Sequence, residues 1–180
     1  MSLGFAAITE SYPVIAYIGL GANLGDPELQ LRQALDLLGA VDEVEILKVS
    51  AFYRNPPLSP PEQPWFVNAV AKLRTRLAPE DLLRALHRVE AALGRVRGEK
   101  WGPRVIDLDL LLYDGIISQD QELILPHPEM HRRAFVLAPL AEVAPEAWHP
   151  ALNKSAGELL RELAPADLAA LQRVAWQWSP

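Results

Sequence analysis

Short apolar runs rich in β-branched residues alternate with two helix-period stretches in an order that few folds satisfy: strand, helix, strand, strand, helix, strand. "VIAYIGLG", Val14 to Gly21, is the first strand, ending on glycine. "DPELQLRQALDLLGA" follows as a helix, with Asp26 as N-cap, Pro27 at its first position and Leu31, Ala34, Leu35 and Leu38 on one face. "VEILKVSAFYRN" and "WFVNAVAKLRT" are two further strands, separated by the proline-rich loop "PPLSPPEQP". Pro79 then opens a second helix, "APEDLLRALHRVEAALG", whose inner face and border carry Leu82, Leu83, Leu86, Val89, Glu90 and Leu93. The last strand lies within "KWGPRVIDLDLLLYDG". This order predicts an α+β chain, a ferredoxin-like βαββαβ sandwich with extra C-terminal elements. We expect a single domain over 1–180, with its core at about 14–150, an N-terminal extension over 1–13 and a helical tail over 151–180.

The last strand carries two acids. Side chains alternate along a strand, so Asp107 and Asp109 share one face while Ile106, Leu108 and Leu110 share the other. Like charges so placed raise each other's pKa unless a cation or arginines neutralise them. One reading is an exposed strand face with two solvated acids. The other is a Mg²⁺ site, since Mg²⁺ takes one or two carboxylates together with phosphate oxygens and water. The run "GRVRGEKWGPR" just upstream favours the second, because Arg95, Arg97, Lys100 and Arg104 feed positive charge towards the acids. Gly94, Gly98 and Gly102 suit a loop that closes over a ligand, and Trp101 supplies either a stacking plate or a core residue.

Composition narrows the classes. The formal net charge of -6 opposes broad nucleic-acid binding through a basic surface. The absence of cysteine excludes a disulfide framework and thiolate metal sites. The N-terminus lacks a charged signal-peptide region, and no apolar run reaches the roughly 18 residues of a membrane span. The expectation is a soluble, cytoplasmic monomer with no nucleic-acid or membrane partner.

Two other segments carry candidate contacts. Phe66 and Asn68 lie two apart on a strand and share a face; an aromatic ring beside an amide either holds a flat heterocycle or packs in the core. His127, between prolines in "LPHPEMHRRAFVL", reaches either a phosphate or a backbone carbonyl, and Arg132 and Arg133 follow it. "GLGANLG" after the first strand only loosely matches a dinucleotide fingerprint and reads as a tight turn, and no P-loop occurs.

Taken in order, "YIGLGANLGD", "FYRNPPLSPPEQPWFVNAV", "LGRVRGEKWGPRVIDLDLLLYDG" and "LPHPEMHRRAFVLAPLAEVAP" resemble the 6-hydroxymethyl-7,8-dihydropterin pyrophosphokinase family over about Tyr17 to Pro145. The resemblance implies transfer of the pyrophosphoryl unit of ATP to a reduced pterin, releasing AMP. It implies that Asp107 and Asp109 bind two Mg²⁺ ions and that Arg95, Arg97 and Arg104 neutralise the transferred group. Glu90, Trp101, Arg104, His127 and Arg133 would lie on the nucleotide side. Gly21, Asn55, Pro56, Leu58, Phe66, Asn68 and Phe135 would form the pterin slot. Asn55 stands where threonine is frequent in that family, Phe66 where tyrosine is frequent, and Lys100 where arginine often stands. The rivals are a metal-dependent nucleotide-sugar transferase, an RNA-binding module of the same element order and a small-ligand regulatory domain. The first leaves the slot unexplained, the acids on the central strand oppose the second, and the third has no need of the arginine-rich loop.

Overall fold

The computed structural model describes residues 12–58, 62–95 and 104–179. Its elements in chain order are β1 (Val14–Ala22), α1 (Pro27–Gly39), β2 (Val44–Val49), β3 (Phe52–Asn55), β4 (Phe66–Thr75), α2 (Pro79–Ala92) and β5 (Asp107–Tyr113). There follow a small hairpin of β6 (Ser118–Gln119) and β7 (Ile124–Leu125), a 3₁₀ turn at Met130–Arg132 and α3 (Ala134–Val143). The chain finishes with β8 (Trp148–His149), β9 (Lys154–Ser155), α4 (Ala156–Arg161), α5 (Pro165–Ala169) and β10 (Gln172–Val174).

The main sheet runs β10-β3-β4-β1-β5, with β2 also paired to β4, and every pairing is antiparallel. α1 begins where the sequence says it should: Asp26 Oδ1 accepts the Leu29 N–H at 3.1 Å, and Pro27 needs no partner for the N–H it lacks. Leu31, Leu35 and Leu38 of α1 and Leu82, Leu86 and Val89 of α2 form one core with Ile18, Leu20, Val67, Leu73, Leu108 and Leu110 of the sheet. Each fully buried side chain of this size is worth about 1.5–3 kcal/mol, so the two helices are fixed to one face of the sheet. The opposite face packs Tyr17, Val70, Leu111 and Leu112 against Met130, Leu137, Leu140 and Leu159. That second layer covers only part of its face, and the remainder is open to ligand.

Two expectations need correction. The segment "VEILKVSAFYRN" is two strands and not one. At the break Ser50 N–H donates to the Val70 carbonyl at 2.9 Å, Val70 N–H donates to Ser50 Oγ at 3.0 Å, and Ala51 N–H turns away to Glu142 Oε1 at 2.9 Å. Side-chain acceptors at Ser50 and Glu142 thus replace regular ladder partners. The tail beyond residue 150 is helical only in part. α4 carries a capping box between Ser155 and Glu158, but the chain then forms β10 on the outer edge of β3. Trp176 stacks on Phe52 with ring centroids 4.0 Å apart and planes 17° apart, so the end of the chain joins the core.

Candidate active site

The open part of the sheet is a set of cross-strand rows. Gly21 of β1 is paired with Asn68 of β4 on one side and with Asp107 of β5 on the other. One step along, Gly19 sits between Val70 and Asp109. Alternation puts all six residues on the same face, opposite Ile18, Leu20, Ala69 and Leu108 in the core. The row from Asn68 to Asp107 spans two strand spacings, about 10 Å, with a glycine as its floor. The floor is tight at Gly21, where a Cβ would stand 2.7 Å from Asn68 Oδ1 and push that amide out of its row. Past the site the β1–β5 register shifts at Leu111, so Tyr17 pairs with Leu112. The bulge lets Leu111 and Leu112 both join the second layer, while the two acids keep the shared face that the sequence predicts.

A cleft of about 290 Å³ stands on these rows, lined by Gly19, Gly21, Asn55, Leu58, Phe66 and Asn68 at one end and Arg104, Asp107, Asp109, His127 and Arg133 at the other. Phe135, from the start of α3, also lines it, and the Arg133 guanidinium lies over the Phe135 ring at 5.8 Å. Pro56 does not line the cleft; its carbonyl accepts from Asn55 Nδ2 at 3.0 Å and fixes that amide. Asn55 Oδ1 then accepts from Asn68 Nδ2 at 2.5 Å, which turns Asn68 Oδ1 towards Gly21. One end of the cleft is an oriented amide with aromatic neighbours; the other is charged.

At the charged end Asp107 is gripped from both sides. Arg95 Nη1 lies 2.7 Å from Asp107 Oδ1, and Arg104 Nη1 is hydrogen-bonded to Asp107 Oδ2. Arg95 also pairs with Glu90, whose Oε1 accepts the Leu108 N–H at 2.7 Å. Glu90 is therefore a buried clasp between α2 and the outer edge of β5. Burial raises its pKa, an effect that the Leu108 N–H and Arg95 oppose and that the Asp107 charge reinforces. Glu90 stands outside the main cleft, in a second groove with Arg95, Arg104, Asp107, Asp109 and His127.

Asp109 has no such grip. Enclosure by protein, followed by the charges of Asp107 and Glu90, pushes its pKa up to about 7 against the weaker pull of Arg104 and Arg133. Its carboxyl is nevertheless open to water at the cleft mouth, with 41 % of the side chain exposed. His127 Nε2 is 3.9 Å from Asp109 Oδ2. His127 Nδ1 accepts the Glu129 N–H at 3.2 Å, so in the neutral ring the proton sits on Nε2 and faces Asp109. Burial and then the Arg133 charge lower the His127 pKa and keep the ring neutral. Among the described residues no group of three or more His, Cys, Asp or Glu could enclose a metal. Two carboxylates on one face, of which Asp109 has no arginine within ion-pair distance among the described residues, do fit Mg²⁺ that shares its remaining positions with phosphate oxygens and water.

The structure thus brings together Gly21, Asn55, Leu58, Phe66, Asn68 and Phe135 with Arg104, Asp107, Asp109, His127 and Arg133, and sets Arg95 and Glu90 behind them. Arg97, Lys100 and Trp101 lie outside the described residues. One residue that the sequence reading passed over as part of a turn is Asn23. Its backbone N–H donates to the Arg104 carbonyl at 3.0 Å, and Arg104 N–H donates back to Asn23 Oδ1 at 2.8 Å. Its Nδ2 donates to Gln63 Oε1 at 3.2 Å and the Pro64 carbonyl at 3.3 Å. Asn23 ties the proline-rich loop to Arg104. The available signal was an amide placed two residues after Gly21, just past the end of the strand.

The family model described as 7,8-dihydro-6-hydroxymethylpterin-pyrophosphokinase (HPPK) matches residues 17–145. The chain is 45% identical over 160 residues to a 2-amino-4-hydroxy-6-hydroxymethyldihydropteridine pyrophosphokinase of Methylorubrum extorquens, covering 88% of this chain and 98% of that one. It is 46% identical over 129 residues to the Bacillus subtilis protein of the same name, covering 72% and 77%. Among solved structures, the wild-type Plasmodium falciparum HPPK-DHPS with pteroate shares the fold at a TM-score of 0.66 and 15% identity, covering 83% of this chain. This chain spans 42% of that longer protein.

Proposed function

The chain belongs to the 7,8-dihydro-6-hydroxymethylpterin-pyrophosphokinase family, and on that premise we propose that it transfers the pyrophosphoryl group of ATP to the hydroxymethyl oxygen of 6-hydroxymethyl-7,8-dihydropterin. The products are AMP and the pterin diphosphate, a step of tetrahydrofolate biosynthesis. The observation that carries this reading is the row Asn68, Gly21, Asp107, which sets an oriented amide about 10 Å from a charged carboxylate over a bare floor. That gap suits a flat bicyclic ring with its reactive arm directed at the acids. The strand order, with α1 and α2 on one face, supports assignment to the ferredoxin-like split βαβ pattern.

In the reaction the hydroxymethyl oxygen bonds to the β-phosphorus. The bond from that phosphorus to the oxygen bridging the α-phosphate breaks, and AMP leaves with the bridging oxygen. The displacement needs charge neutralisation and in-line placement more than a strong base. Asn68 Oδ1, held by Asn55, accepts from a donor on the ring edge, and Phe66 and Phe135 pack against the ring. Arg104 and Arg95 exchange part of their hold on Asp107 for the polyphosphate oxygens, and Arg133 and His127 Nε2–H present further donors. Asp107 and Asp109 would hold two Mg²⁺ ions, which when bound supply positive charge for the phosphate oxygens and make the alcohol easier to deprotonate. The hydroxyl proton leaves towards the Asp107 and Asp109 face, and His127, with its proton already on Nε2, acts as a donor and not as the base.

The mass of the pterin product tests the reaction type. Incubation with ATP, Mg²⁺ and 6-hydroxymethyl-7,8-dihydropterin should add two phosphates to the pterin and yield AMP. A product with one phosphate and ADP, or no phosphorylated pterin, would overturn the reading.

A further inference from the structure

The cleft's heterocycle end is built from two pieces of different layers: β3, a strand of the sheet that carries Asn55, and α3, which packs on the sheet's open side and begins with Ala134 and Phe135. Glu142 joins them. It lies seven residues after Phe135, about two helical turns, and so on the same side of α3. Its carboxylate accepts the Ala51 N–H at 2.9 Å and the Tyr53 hydroxyl at 2.5 Å, on the strand that ends in Asn55 two residues later. The third contact comes from the chain's last strand: Arg173 Nη2 donates to Glu142 Oε1 at 3.1 Å and Arg173 Nε to Oε2 at 3.3 Å.

β10 also supplies the backbone partner of β3, with Gln172 opposite Arg54, Arg173 opposite Tyr53 and Val174 opposite Phe52. On the other face of β3, Trp176 stacks on Phe52, which is fully buried. β3 is four residues long and leads into a proline-rich loop. Without β10 it would be a short edge strand with one row of unpaired backbone groups. Burial acts to raise the Glu142 pKa, but hydrogen bonds from Arg173, Tyr53 and the Ala51 N–H outweigh it and hold the carboxyl below its usual range. Glu142 therefore stays ionised and fully engaged at neutral pH.

We propose that Arg173 and Trp176 are positioning residues for the heterocycle slot, Arg173 tying β3 to α3 through Glu142 and Trp176 holding the opposite face of β3 through Phe52, so that Asn55 and Phe135 keep the spacing that the ring requires. This rests on the function proposed above. Neither residue touches the cleft, and neither lies near Asp107 or Asp109 on the sheet, since β3 and β5 are separated by β4 and β1. The clamp should therefore act on the pterin and leave the nucleotide alone.

The test is steady-state kinetics of Arg173→Ala, Trp176→Ala, Trp176→Phe and the double alanine variant, with KM measured separately for each substrate. We expect the alanine changes to raise KM for the pterin about tenfold, with kcat and KM for ATP within about twofold of the unmodified chain. Trp176→Phe, which retains a ring against Phe52, should recover most of the loss. The inference is overturned if both KM values stay unchanged, or if they rise together without rescue by phenylalanine, the pattern of a general loss of stability. Failure of the unmodified chain to make AMP would instead sink the proposed function, and the two failures are read from different samples.

Discussion

Asn68 donates its Nδ2 hydrogen to Asn55 Oδ1 at 2.5 Å, and Asn55 is itself held by donating to the Pro56 carbonyl at 3.0 Å. The chain of amides leaves Asn68 Oδ1 as the acceptor offered to the cleft. Asn55→Leu removes the acceptor that sets this orientation and leaves a buried Asn68 N–H unsatisfied, a cost of about 1–3 kcal/mol. KM for the pterin should rise about tenfold or more, with KM for ATP unchanged. Equal pterin KM values for Asn55→Leu and the unmodified chain would show that Asn68 needs no orienting partner.

Gly21→Ala places a methyl 2.7 Å from Asn68 Oδ1 without straining a left-handed backbone, since Gly21 has no positive φ. The amide must move out of its row. Pterin affinity measured by titration should fall about tenfold, while the melting temperature changes little because neighbouring core residues are untouched. Gly19→Ala, whose new methyl would meet Leu111 at 3.4 Å, should be milder.

The Glu90 clasp separates a hydrogen bond from a charge. Glu90→Gln keeps an acceptor for the Leu108 N–H and should leave thermal stability near that of the unmodified chain. Glu90→Leu strands that buried N–H and should cost about 1–3 kcal/mol. Both free Arg95 from one of its two anionic partners. Calorimetric melts of the two variants decide it, and equal loss in both would mean that the ion pair, not the backbone bond, carries the contribution.

Asp109 gives a pH dependence with a definite sign. Its folded pKa, up to about 7, lies above the ordinary value of about 3.9, so between those limits the folded chain binds more protons than the unfolded one. Stability of the metal-free protein should fall as pH rises from about 4 to about 7, and Glu90, whose pKa is raised as well, contributes a change of the same sign. Asp109→Asn should flatten the slope and raise the melting temperature at neutral pH. Mg²⁺ requires the carboxylate, so its affinity in the presence of nucleotide should increase across the same range with release of protons. A slope unchanged in Asp109→Asn would contradict the assignment.

The order of strands and helices and the shared face of Asp107 and Asp109 were legible because they follow from local periodicity. The same alternation paired Phe66 with Asn68. What periodicity cannot supply is register: nothing in "YIGLG" says that Gly21 will meet Asp107 and Gly19 Asp109, since pairing joins segments far apart in sequence. The β2–β3 break depended on Glu142, roughly ninety residues away, accepting the Ala51 N–H. β10 escaped notice because three residues are too few to show a period, and the strand exists only because the β3 edge is there to receive it. Asn23 was hidden for the same reason, as its partners lie on two distant loops.

The most direct measurement is the rate of AMP formation from ATP, Mg²⁺ and 6-hydroxymethyl-7,8-dihydropterin by the unmodified chain and by the Asp107→Ala, Asp109→Ala double variant, with folding of each checked by its melting curve. The geometry predicts pterin-dependent AMP from the first and a fall of about 10³-fold or more in the second, in line with removal of the groups that hold charge at the transferring phosphorus. Undiminished AMP formation by a folded double variant would contradict it.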